Sequence, residues 1–143
     1  MRLYRSINDK ELTKLLRGVK VRGMYDCQFE SQNDSKLNNV ICTFTQDFRW
    51  KDKEHTFYIV LDIPMNRILE RCKAEYYLSK EAIKNRLWSG RDGQELFEIE
   101  EAYLDEYDIN DVVSIKGMSH YAKWYIEENI KPVAEKYGII LVN

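Results

Sequence analysis

The chain has few candidate metal ligands and no recognisable cofactor loop. Cys27, Cys42 and Cys72 form no CxxC pair, and only His55 and His120 accompany them. That is a poor set for zinc, so the cysteines read as reduced thiols and no metal site is expected. No charged-then-apolar leader opens the sequence and no apolar run approaches the ~20 residues of a membrane span, so a soluble, cytoplasmic protein with no membrane partner is expected. The absence of GxGxxG argues against a dinucleotide held in the Rossmann manner. Basic charge is not in excess either: 22 Lys and Arg against 24 Asp and Glu leave a net charge of -2 and a pI near 5.8. A broad nucleic-acid-binding surface normally carries a basic footprint. There is no internal repeat and no low-complexity segment.

What is present is a chain of 143 residues, 44% of them hydrophobic. That suffices for an ordinary core, and residues 1–143 are expected to form a single domain. Ten Tyr, five Phe and three Trp point to a core or a binding surface built from amphipathic rings.

Alternation over 2–7 predicts a strand that carries Leu3, Arg5 and Ile7 on one side. Asn8 followed by Glu11 has the form of a capping box, and Leu12, Leu15 and Leu16 supply a helical stripe that Gly18 stops. Residues 19–39 are rich in turn formers and read as an irregular connection, of the kind that often carries function. VICTFT (40–45) and TFYIVLDI (56–63) are strands, the second apolar enough to be central and ended by Pro64. Residues 66–77 are ambiguous, with one helical solution through Ile68, Leu69 and Cys72. Ser79 caps a short helix, Gly90 and Gly93 make a turn, 95–99 reads as a short strand, and the acidic stretch beyond Glu100 reads as a turn or short helix. After a strand at 112–115, Ser119 caps the longest helix. Its buried stripe runs from Ala122 to Tyr137, Pro132 kinks it, Gly138 ends it, and 139–142 is a closing strand. About five or six unevenly spaced strands among three or four helices give the class α+β.

Several residues carry potential chemistry. Arg5 stands among apolar neighbours and cannot shed its charge, so it needs either a structural carboxylate or a bound anion. Thr43 and Thr45 share a strand face, solvated or turned to a polar ligand. Phe48 and Trp50 sit in the charged loop QDFRWKDKEH, either as anchors or as a stacking surface for a flat ligand. Glu95 opens an apolar strand, which makes it either a rim residue or a placed acid.

The order of these pieces, LYRSI with an inward Arg, CTFT with spaced hydroxyls, then QELFEI and EEAYLDEYDI, resembles the ADP-ribosyltransferase superfamily. The resemblance implies an α+β fold of split mixed or antiparallel sheets with flanking helices. It also implies a small mono-ADP-ribosyltransferase, of toxin or phage-effector type, that uses NAD as co-substrate to modify a macromolecular acceptor, either a protein or a nucleic acid. On that likeness Arg5 grips the phosphate and ribose side of NAD, and Thr43 and Thr45 shape the nicotinamide pocket. Phe48, Trp50 or Tyr58 supplies the ring against nicotinamide, and Glu95 is the catalytic acid, with Glu98 and Glu100 as rivals through the EIE triplet. A carboxylate suits this chemistry because positive charge develops on the ribose as nicotinamide leaves. The alternative is a non-catalytic binding or inhibitor protein that acts through the acidic surface of 98–111.

Overall fold

Period-two alternation builds most of this molecule. The computed structural model describes residues 1–23, 39–88 and 93–142. In chain order its strands are β1 (Arg2–Ile7), β2 (Val21–Arg22), β3 (Ile41–Phe44), β4 (Arg49–Trp50), β5 (Phe57–Asp62), β6 (Glu70–Leu78), β7 (Leu87–Trp88), β8 (Glu95–Leu104), β9 (Glu106–Tyr107), β10 (Val112–Gly117) and β11 (Ile140–Val142). The helices are α1 (Asp9–Leu16), α2 (Lys80–Asn85), α3 (His120–Tyr125) and α4 (Lys131–Tyr137). Seven strands join in one sheet, β11-β10-β5-β1-β3-β8-β6, in which the β10–β11 pair is parallel and every other pair antiparallel. Two ribbons stand apart, β2 with β9 and β4 with β7. The class is α+β, with a mostly antiparallel sheet.

The register divides the side chains between two faces. Tyr4 lies opposite Phe44, and Phe44 opposite Glu101, so these three share a face. Leu3, Arg5 and Ile7 point to the other, opposite Leu61, Ile59 and Phe57. That second face carries the main core, where Leu12 and Leu15 of α1 and Ile126, Ile130 and Ala134 of the C-terminal helical segment pack on it. Each fully buried Leu or Ile contributes roughly 1.5–3 kcal/mol relative to exposure. The first face is covered more sparsely, by a cluster of Phe48, Leu78 and Ile99 with Phe44, Tyr76, Trp88 and Phe97 around it.

Three expectations about elements change. Residues 70–78 form a strand rather than a helix, because Cys72, Ala74 and Leu78 are buried while Arg71, Lys73 and Glu75 between them are exposed. β8 does not stop at Ile99. It runs through the acidic stretch to Leu104, where burial of Ala102, Tyr103 and Leu104 between neighbouring strands overrides the turn-like composition. The C-terminal helix takes a π turn over Ile126–Ile130 just before Pro132, where the ladder absorbs the donor that proline lacks; its last stripe residue, Tyr137, is exposed.

Candidate functional site

Arg5 is a structural cation. It is 8% exposed; its Nε and Nη2 donate to Glu11 Oε1 and Oε2 at 2.8 and 3.0 Å, and its Nη1 donates to the Cys42 carbonyl at 2.7 Å. Tyr107 donates its hydroxyl to Glu11 Oε1 at 2.7 Å. Burial works against the guanidinium charge, but the Glu11 carboxylate outweighs it and raises the Arg5 pKa above its ordinary value. Burial first, then the negative charge of Glu11, pushes the Tyr107 phenol well up. Only half of the anticipated capping box forms: Asn8 Oδ1 accepts from the Glu11 amide at 3.0 Å, while the Glu11 side chain turns to Arg5.

The hydroxyls are also spoken for by backbone. Thr43 Oγ1 donates to the Ala102 carbonyl at 2.8 Å and Thr45 Oγ1 to the Glu100 carbonyl at 3.4 Å, both across the β3–β8 side of the sheet. Phe48 is buried beneath Phe44, Tyr76 and Phe97, so it anchors its loop and offers no stacking surface. Tyr58 stacks behind Tyr4 and donates to Asp47 Oδ1 at 2.6 Å. Burial and then Asp47 push its phenol pKa up.

Glu95 is half exposed, with Lys80 Nζ 4.0 Å away. It lies six residues along β8 from Glu101, which neighbours Phe44. At about 3.3 Å per residue, this puts Glu95 roughly 20 Å along the sheet from the β1–β3 region. Arg5 and Glu95 therefore do not meet across one cleft. Of the two rival acids, Glu100 is engaged elsewhere, as are two further acids of the stretch. Glu100 takes Arg71 at 2.6 Å, Glu106 takes Lys20 at 3.1 Å and Asp111 takes Arg67 at 2.6 Å. Glu98, exposed opposite Glu75, stands outside these pairs. Three of the seven acids of 98–111 are thus paired with a cation within the fold. Of the irregular connection read over 19–39, residues 24–38 lie outside the described residues, as does the Gly90 end of the following glycine turn.

The structure does assemble a different site. A cavity of about 350 Å³ opens on the first sheet face, walled by Tyr4, Phe44, Trp50 and Tyr76, with Arg5, Ser6, Cys42, Asp52 and His55 also lining it. Trp50 is placed by its amide, which donates to Ser6 Oγ at 2.8 Å, and by contact with Trp88 in the parallel β4–β7 ribbon. Asp52 closes a tight turn: its Oδ1 accepts from the amides of Glu54 and His55 at 2.8 and 2.7 Å, and its carboxylate lies 3.0 Å from His55 Nδ1. Trp50 Nε1 donates to Asp52 Oδ2 at 3.3 Å. What burial there is opposes the charge, but the two amide bonds and the His55 and Trp50 side chains hold Asp52 ionised, down to about 2. With Nδ1 committed to Asp52, Nε2 is the imidazole atom left for a ligand.

Behind this wall stands Glu101, 1% exposed. Tyr76 donates its hydroxyl to Oε1 and Tyr103 its hydroxyl to Oε2, while Cys72 Sγ donates to the Tyr103 oxygen at 3.3 Å. Burial first, then Glu101, pushes the Tyr76 phenol pKa up. No cation forms an ion pair with Glu101 among the described residues. In the sequence Glu101 was one acid in a run of them. The sole signal for its burial was its period-two position, two residues from Ile99 and Tyr103 on the same strand face.

Among the described residues no helix is long and apolar enough to cross a membrane. No family model, no curated protein and no solved structure matches this chain.

Proposed function

We propose that the cleft walled by Tyr4, Phe44, Trp50 and Tyr76 is the ligand site of this protein, and that its ligand contains a planar ring. The observation that carries this is the convergence of four aromatic side chains on one cavity of about 350 Å³. That size falls in the range of small-molecule sites, and largely apolar walls with a few placed polar groups are their usual make-up. Ring faces offer stacking worth about 0.5–1.5 kcal/mol beyond area burial.

The reaction we propose for this cleft is mono-ADP-ribosyl transfer from NAD to a macromolecular acceptor, on an ADP-ribosyltransferase-like fold. Nicotinamide is the flat ring, and a fixed carboxylate beside it meets the charge that develops on the ribose. Asp52 takes the part anticipated for Glu95, because it lines the cavity and is held ionised whereas Glu95 is remote. His55 Nε2, oriented through Asp52, is placed to accept a proton from the acceptor nucleophile.

Thermal melting with millimolar NAD, together with assay of released nicotinamide, tests the proposal. NAD is expected to raise the melting temperature of the wild type and of Glu95→Gln alike, and to leave Trp50→Ala unmoved. Asp52→Asn should retain binding and lose about a hundredfold in nicotinamide release. A wild type that neither shifts nor releases nicotinamide removes the NAD reading, and an inactive Glu95→Gln with a normal melt returns the acid to β8.

A further inference from the structure

The charge balance of the cleft points to the class of its ligand. Arg5 lines the cleft, but its side chain points to the other face of the sheet, where Glu11 holds the guanidinium bidentately. Asp52 lines the cleft with its carboxylate 3.0 Å from His55 Nδ1. Glu101 differs from both. Its two oxygens each accept a phenolic hydrogen bond, and phenols supply donors without a counter-charge. One of those phenols belongs to Tyr76, whose ring is also a wall of the cleft, and the side chain opposite Glu101 on β3 is Phe44, another wall. The carboxylate therefore stands at the hydroxyl end of one of the four rings and beside another, and the cleft they wall is where a compensating charge fits.

Aromatic faces attract cations through their quadrupole, and most of all when water is excluded. A compact ammonium would lose its hydration shell in such a site for few acceptors in return, whereas a charge spread over a ring or over N-methyl groups loses little. We propose that the cleft selects a small organic cation with delocalised or methylated charge, drawn in by the rings and by Glu101 behind them. This rests on the cleft being the ligand site and deepens it by naming the ligand class.

A matched pair of probes separates the two statements. N-methylnicotinamide cation and neutral nicotinamide share a ring and differ by one methyl group and one charge. In calorimetric titration of the full chain the cation is expected to bind about tenfold more tightly than the neutral amide. Glu101→Gln should erase most of that preference, and Trp50→Ala should weaken both probes. Because Glu101 is buried, its variant is compared only after its melting curve shows a folded protein, and the wild-type ratio decides by itself. Equal affinities, or preference for the neutral amide, overturn the cation inference while leaving a planar-ligand site standing. Binding of neither probe overturns both.

Discussion

Glu11 and Glu101 are two carboxylates buried against opposite faces of one sheet, and they are satisfied in different ways. Glu11 meets a guanidinium in bidentate geometry and a tyrosine; Glu101 meets two tyrosines and no cation among the described residues. Burying a charge is costly unless it is paired, so the first arrangement is complete within the fold and the second is complete in hydrogen bonds only. The complete one sits under the main core and touches α1, β1 and the β9 ribbon, which it ties together. The incomplete one sits behind the aromatic cleft. A buried ion with all its partners is a structural device; one with no cation partner among the described residues, close to a cavity, is the basis of the ligand proposed for the cleft.

The largest effect should come from breaking the complete pair. Glu11→Ala leaves Arg5 buried and uncompensated, and should cost about 3–5 kcal/mol in urea denaturation. The double variant Arg5→Met, Glu11→Leu should recover much of that loss, because it removes both charges at once. A single variant costing under about 1 kcal/mol would mean that water reaches Arg5 and that the pair is not a closed unit. Glu101→Gln should cost less, about 1–3 kcal/mol, since an amide offers an acceptor to one phenol and not to both. If it instead matched the Glu11→Ala loss, the contrast between the two carboxylates would fail.

The smallest effect is expected at Asp52, and it depends on pH. Its carboxyl titrates near 2 when folded against an ordinary value of 3.8. A depressed carboxylate pKa favours the fold above the unfolded value, so the Asp52 contribution is whole above about pH 4 and fades as pH falls toward 2. Asp52→Asn removes this dependence, and the stability difference between wild type and variant, followed by denaturation at several pH values, should shrink over that interval. At 40% side-chain exposure the contribution is screened and modest. A difference that stays constant from pH 6 to 2 would show that the turn does not hold the carboxylate ionised.

Much of the frame was legible in local pattern. The opening strand, the Asn8 cap, α1 and its end near Gly18 follow from alternation and helix-end chemistry. So do the Ser79 and Ser119 caps and the stop at Gly138. The stretch that local pattern leaves ambiguous, β6, and the one it reads as a turn or short helix, the second half of β8, pair with each other along Glu70–Lys73. Each is rich in charge that suits a turn or a helix surface when read alone; β6 becomes a strand with alternate residues buried, and the second half of β8 one that is buried on both faces between β3 and β6. The aromatic cleft was visible only as a set of rings. Trp50 was among them, while Tyr4, Phe44 and Tyr76 come from three different strands whose adjacency no window of sequence displays.

By itself the sequence determined the α+β class, the helix ends, and the requirement that an inward Arg5 find an acid, because periodicity, capping and desolvation act within a few residues. The tertiary structure decided which acid that was, choosing Glu11 over every other carboxylate. It also carried Glu95 away from β1 and put Glu101 against Phe44 and Tyr76, two of four converging rings. Those outcomes turn on strand order and register, where a shift of one residue sends a side chain to the opposite face.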